Sequence, residues 1–310
     1  MSDFWQSVSR ILKEPFGIIP ALSTITNETG ELDEESERSL VQANLGWGAR
    51  GVAASIVAGE FYKFTDEERV RTFEIVMEAA NGKTPVWAGI SHLGTQSSIK
   101  LARQAKDVGV YGVIAQAPLA GKEASLALYE HFSCLFQKVD IPIMIQDAED
   151  FNGIHIDPNI YRRLADEFSQ FVSVKIEGGK TLDKIREVKA LMGDRLTILG
   201  GMGGRLILEE LQLGAVGSIP NPCMTDLVVN TLNKFNEGKM KEAKESFSMY
   251  EPWLEFQTKY KESSFEIVKE TLRLRGVVKS SATRSPHVPM SEQAKTELRN
   301  LIRKMNMLAV

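Results

Sequence analysis

Short apolar runs recur along the chain, separated by longer stretches in which apolar residues return every three or four positions. The runs begin at Gly17 (GIIPALST), Gly51 (GVAASIV), Pro85 (PVWAGIS), Tyr111 (YGVIAQAP), Ile141 (IPIMIQD), Phe171 (FVSVKIE), Leu196 (LTILGG) and Ala215 (AVGSIP). Each is short, apolar and bounded by turn residues, which predicts eight strands. The stretches between most of them read as amphipathic helices with recognisable starts. Thr65 and Glu68 stand at capping-box spacing, Thr95 and Thr181 can cap, and Asp157 is followed by Pro158 at the first helical position. Gly109 and Gly193 mark two helix ends.

Strands alternating with helices predict a parallel sheet with right-handed crossovers. Eight such units fit an α/β (β/α)8 TIM barrel better than an open doubly wound sheet. No glycine fingerprint for a dinucleotide follows the first run, which weakens the open-sheet reading further. After Pro222 the pattern is helical only. The expected organisation is therefore residues 1–222 as barrel strands and most helices after a short lead-in, and 223–310 as the last barrel helix with a C-terminal helical extension.

Composition adds exclusions. Of the 310 residues 43% are apolar and 25% charged, as in ordinary soluble proteins. A net charge of -4 and a pI near 5.8 argue against nucleic acid or an anionic membrane as partner. No apolar run approaches the ~18 residues that span a bilayer. The first residues carry no signal-peptide stretch and read as an amphipathic lead-in helix that stops before Pro15. Cys134 and Cys223 lie far apart and make no metal-like spacing with histidine. They read as reduced thiols of a cytoplasmic protein, with no metal or other cofactor expected.

Candidate chemistry sits where barrel strands end. Along the sixth run, alternation sends Val172, Val174 and Ile176 toward the helices and Ser173, Lys175 and Glu177 into the lumen. Partial desolvation disfavours an ammonium, and a neutral lysine amine attacks a carbonyl to form a Schiff base. The competing reading is a structural lysine paired with Glu60 or Glu177. On the fifth run Met144 and Gln146 share the lumen face, whereas Ile143, Ile145 and Asp147 share the other. Gln146 is then placed to orient a substrate hydroxyl. Further candidates for substrate contact are Ser55, Val57, Ala58, Gly59 and Glu60 after the second run, His92 after the third, and Ser218 on the eighth. Gly59 is read as a place for close backbone approach, and Glu60 and His92 as possible acid–base groups. Gly200 and Gly201 open GGMGGR, which can offer backbone groups to a carboxylate or cradle a phosphate.

Several landmarks in order resemble the dihydrodipicolinate synthase and N-acetylneuraminate lyase superfamily of Schiff-base barrels. They are Gly59–Glu60, PVWAGIS, LYEHF from Leu128, IPIMI, VKIE, the glycine pair after the seventh run, Val268–Lys269, and Arg284 with Pro286. The resemblance covers nearly the whole chain from Gly17. It implies a small-molecule 2-oxo acid bound as an imine on Lys175, and a homodimer or homotetramer. The departures matter too. The family's strand-five tyrosine is matched by Gln146, and its hydroxyl pair before Gly-Glu by Val57 and Ala58. Its tyrosines after strand four are matched by Leu119 and Ala120, and its carboxylate-binding arginine by Phe151. IPIMIQDA, Ser91–His92, KIE and SATRSP are closer to the branch that dehydrates 2-keto-3-deoxy sugar acids, of the arabonate type. VAGEF departs from that branch. Dehydration, or aldol cleavage, of such an acid is the expected reaction. The alternatives are a pyruvate-using synthase or neuraminate-type aldolase, a phosphosugar barrel, and a ligand-binding protein that has lost catalysis.

Overall fold

The computed structural model describes residues 17–118 and 125–309. The lead-in helix expected before Pro15 and positions Leu119 and Ala120 lie outside the described residues. All eight predicted strands are present: β1 Gly17–Ile18, β2 Val52–Ala54, β3 Val86–Gly89, β4 Gly112–Gln116, β5 Ile143–Ala148, β6 Phe171–Glu177, β7 Thr197–Gly203 and β8 Gly217–Pro220. They form one parallel sheet in the order β1-β8-β7-β6-β5-β4-β3-β2. A further parallel bridge joins Ala21, just after β1, to Ala53 of β2, so the two ends of that order meet. This is a TIM-barrel-like α/β fold.

The helices follow the predicted rhythm. They are α1 Glu34–Gly46, α2 Asp66–Ala80, α3 Thr95–Val108, α4 Ser125–Lys138, the single turn α5 Glu149–Asn152, α6 Pro158–Glu167, α7 Thr181–Met192, α8 Ile207–Gln212 and α9 Thr225–Asn236. The all-helical end supplies α10 Met240–Ser248, α11 Glu251–Lys259, α12 Ser264–Leu274 and α13 Glu292–Lys304. The capping box before α2 forms as read: Thr65 N donates to Glu68 Oε2 at 2.9 Å and Glu68 N to Thr65 Oγ1 at 3.3 Å. Asp157 caps α6 through Asn159 N at 2.8 Å, with Pro158 in the first turn. Two expected caps are corrected. Thr95 and Thr181 are the first residues inside their helices, not the caps. Their hydroxyls are used elsewhere, Thr95 Oγ1 with His131 Nδ1 at 2.9 Å and Thr181 Oγ1 toward Gly178 O at 2.6 Å.

Two apolar clusters follow from strand alternation. The larger lies between strands and helices and takes Ile143, Ile145, Val174 and Ile176. The smaller gathers Ile19, Ala21, Ala53, Trp87, Ile114, Met144, Leu199 and Ile219 inside the strand layer. Val172, expected against the helices, packs with this inner cluster instead. The cause is local: the β5–β6 register slips between Ile143 and Met144, so one residue of β6 is skipped before Ser173 pairs with Met144. Beyond the slip the predicted alternation is restored.

The C-terminal extension is tied to the strand ends. Arg284 reaches Glu68 with two nitrogens, at 2.5 and 2.9 Å, and also donates to Gly30 O and Lys63 O. Arg275 holds Asp226 of α9 at 2.7 Å.

Candidate active site

Residues in register across three adjacent strands put Gln116 (β4), Gln146 (β5) and Lys175 (β6) side by side near the C-terminal ends of the strands. Glu177, two residues beyond Lys175, shares its face. Lys175 Nζ lies 2.7 Å from Glu177 Oε1, and Gln146 Nε2 donates to the same oxygen at 2.5 Å. The other oxygen, Oε2, accepts from Met202 N at 3.0 Å. Lysine, glutamine and glutamate thus form one compact group, with Lys175 only 4% exposed. Desolvation works to raise the Glu177 carboxyl. The Lys175 ammonium and the hydrogen bonds from Lys175, Met202 and Gln146 outweigh it and hold the group below the ordinary carboxylate value. Three buried polar atoms of this region have no hydrogen-bond partner among the described residues: Gln146 Oε1, Gln116 Nε2 and Ser173 Oγ.

Of the two carboxylates considered for Lys175, Glu177 is the one it meets. Glu60 lies elsewhere. It is fully buried in left-handed backbone (φ 53°), its carboxylate paired with Lys63 and, at 2.7 Å, with Lys269 of α12. The acid–base role read for Glu60 is corrected on this ground: both oxygens are committed to an ion cluster that ties the extension to the barrel.

The remaining residues after β2 form the mouth. Ser55 is buried with φ 53°. Val57, Ala58 and Gly59 make a 3-10 turn, and Ala58 packs onto the inner cluster. Gly59 is a correction: a Cβ there would stand 3.0 Å from Leu22 O and 3.2 Å from Thr24 Oγ1, so its free side is filled by the chain itself. His92 Nε2 pairs with Asp66 Oδ1 at 2.8 Å. It faces a cavity of about 480 Å3, which Phe61, Tyr62, Phe64, Leu93, Gln116 and Phe151 also line. Lys175 does not line that cavity; Gln116 stands between the two.

Two further expectations change. Ser218 is in register with Ile18 and Gly200, which face the helix layer, and not with the lumen residues. The phosphate-cradle reading of Gly200–Arg205 is overturned. The Met202 N–H is taken by Glu177 and the Glu210 carboxyl fills the space beside Gly200, so carboxylates already occupy the segment that would bind an anion. Arg205 turns away, donating to Leu254 O at 3.1 Å.

Three residues near the site escaped the sequence reading. Gln116 ends its strand as Gln146 does, and the same alternation argument reaches it. Arg69 donates to Gly89 O at 2.8 Å and Ser91 O at 3.2 Å, and burial lowers it to about 10. Glu210 is one of two adjacent glutamates in a short helix, and nothing in the local pattern distinguishes it.

No helix of the described residues is long and apolar enough to cross a membrane. Residues 14–305 match the model of the Dihydrodipicolinate synthetase family. The 4-hydroxy-tetrahydrodipicolinate synthase of Methanopyrus kandleri is 30% identical over 295 residues, 94% of this chain and 97% of that one. The L-2-keto-3-deoxyarabonate dehydratase of Azospirillum brasilense is 27% identical over 301 residues, 95% and 96% of the two chains. The crystal structure of the dihydrodipicolinate synthase of Aquifex aeolicus superposes with a TM-score of 0.88 at 27% identity, covering 95% of this chain and 99% of that one. The chain belongs to the dihydrodipicolinate synthetase family and is a lyase of the class I aldolase superfamily.

Proposed function

We propose that the protein forms an imine between Lys175 and a 2-oxo acid and dehydrates a 2-keto-3-deoxy sugar acid. The observation that carries this reading is the group Lys175–Glu177–Gln146, with the amine 2.7 Å from a carboxylate held below its ordinary value. The amine attacks the C2 carbonyl, and water leaves as the imine forms. The imine acidifies C3, whose proton a carboxylate such as Glu177 can take. The resulting enamine expels the C4 hydroxyl, which departs as water with that proton. Hydrolysis then frees Lys175. Gln146 Oε1 and Gln116 Nε2, buried and unpartnered, supply one acceptor and one donor for substrate hydroxyls. The likeness to the arabonate-type dehydratase of Azospirillum brasilense supports this choice, as does glutamine rather than tyrosine at position 146.

A second reading, condensation or cleavage using pyruvate, is favoured by the synthase of Methanopyrus kandleri and needs the same imine. One experiment separates the outcomes. The protein is incubated with pyruvate or with each of a panel of 2-keto-3-deoxy acids, reduced with borohydride, and digested for mass analysis. Product is followed in parallel as semialdehyde or as pyruvate. An adduct at Lys175 with semialdehyde production is expected. Pyruvate production favours the second reading, and a folded protein that yields no adduct with any acid refutes both.

A further inference from the structure

Beyond the lumen, behind β7, lies a second buried carboxyl that the chemistry above does not use. Glu210 of α8 is 0% exposed. An ideal Cβ on Gly200 would stand 1.7 Å from Glu210 Oε2, so this carboxyl occupies the space that a side chain at position 200 would need. On the opposite face of the same strand, a Cβ on Gly201 would stand 2.5 Å from Glu177 Oε2. The two glycines therefore make a thin wall with a carboxyl pressed on each side. Met202 N donates to Glu177 at 3.0 Å, which fixes the lumen-side carboxyl to this wall. Neither Glu210 oxygen has a hydrogen-bond partner among the described residues.

We propose that Glu210 is a positioning residue for the Lys175–Glu177 pair, acting through the Gly200–Met202 segment of β7 that separates the two carboxyls. The proposal rests on the reading of Lys175 given above. The neutral Glu210 side chain packs against Gly200 and so holds the backbone that carries the Met202 N–H, the group that orients Glu177. Ionisation puts a second negative charge against the wall, repelling Glu177 and competing for the Lys175 ammonium. Burial pushes Glu210 up to about 8, with the charges of Glu177 and Glu209 adding and that of Lys175 opposing. No titratable group lies on β7 or β8. The buried and half-buried charges of flanking α7 and α9 are committed elsewhere: Lys184 to Asp147, Lys189 to Asp194, Asp226 to Arg275 and Lys234 to Glu242. Glu210 is thus neutral at pH 7 and the site carries an upper pH limit.

The test compares Glu210→Gln, which keeps the shape but cannot ionise, with Glu210→Leu. Glu210→Gln should keep kcat at pH 7 within about threefold of wild type and lose the fall in kcat that wild type shows above about pH 8. Glu210→Leu should lose about tenfold or more in kcat with KM within about threefold. Carboxyl-13C NMR of the wild-type protein should show the Glu177 signal stepping as Glu210 titrates, and that step should vanish in Glu210→Gln. An alkaline fall retained in Glu210→Gln overturns the proposal, as does a Glu177 signal with no such step. The NMR arm decides the matter if Glu210→Leu fails to fold. Trapping and NMR together separate the two readings: absence of any adduct on wild-type Lys175 sinks the imine reading, whereas a missing NMR step sinks the coupling of the two carboxyls.

Discussion

Replacing Glu177 by glutamine removes a charge while keeping the side chain's volume. The glutamate accepts three hydrogen bonds: Lys175 Nζ and Gln146 Nε2 on Oε1 at 2.7 and 2.5 Å, and Met202 N on Oε2 at 3.0 Å. Glutamine has one acceptor oxygen and one donor nitrogen. Two donors converge on Oε1, so the amide oxygen is best placed there, which turns its NH2 toward the Met202 N–H. That peptide N–H is left unsatisfied, at about 1–3 kcal/mol. The Lys175 ammonium also loses its counter-charge, and breaking a buried pair on one side costs on the order of 3–5 kcal/mol. Because Glu177 keeps 16% of its side chain exposed, water softens this second cost. With the second cost roughly halved, the two together give an expected loss of stability of about 3–5 kcal/mol. The kinetic loss should be separable from it. A missing general base lowers kcat by about 10²–10⁴-fold. Lys175 is still present, so borohydride should still trap an imine with pyruvate. The assay is kcat on a 2-keto-3-deoxy acid that the wild-type protein dehydrates, alongside trapping and urea unfolding of the same preparation. A variant with kcat within about threefold of wild type, folded and trapping normally, would refute Glu177 as the proton acceptor.

Three other substitutions probe the scaffold. Burial raises Glu37 to about 8, against the ordinary 4.5, while its Oε1 accepts from Ile25 N at 2.6 Å. The folded state then holds a proton that the unfolded state releases above 4.5, so stability falls as pH rises from about 4.5 to about 8, by up to about 5 kcal/mol for this group. Glu210 and Asp147 add slopes of the same sign, and buried His131, lowered to about 4, opposes them below about pH 6.5, so Glu37→Gln should show a shallower decline in urea midpoint between about pH 5 and about pH 8 than wild type. An unchanged decline would show that Glu37 is not the buried proton holder. Gly89→Ala would put a methyl 2.0 Å from Ser55 O, a backbone atom at the end of β2. It should cost about 3 kcal/mol or more by overpacking. Gly46→Ala, with nothing within 4 Å of the new methyl, should be neutral or stabilising. Equal urea midpoints for the two alanine variants would contradict the close approach of β2 and β3.

Much of the site is visible from period alone. Strand alternation is a local rule, and it put Lys175 and Glu177 on one face and Gln146 beside Met144. It fails at Val172, because a register slip belongs to the pairing of two strands and not to either one. Helix starts were readable where the capping partner is three residues away, as at Thr65 and Glu68. They failed at Thr95 and Thr181, whose hydroxyls found partners outside their own helix starts.

What the sequence by itself determined is the rhythm of eight strands and their helices, and the inward lysine on the sixth. Both depend on spacings of two and of three to four residues, which the chain carries locally. The tertiary structure alone decided which carboxylate meets Lys175. It sent Glu60 to Lys63 and Lys269 and Glu177 to the amine, because the helical extension delivers Lys269 from more than two hundred residues away. It also decided the role of the glycine pair. Gly200 and Gly201 look from sequence like an open anion loop, and folding lays a carboxyl against each face of them. Burial, register and long-range charge are properties of the assembled strands and helices, and no spacing along the chain encodes them directly.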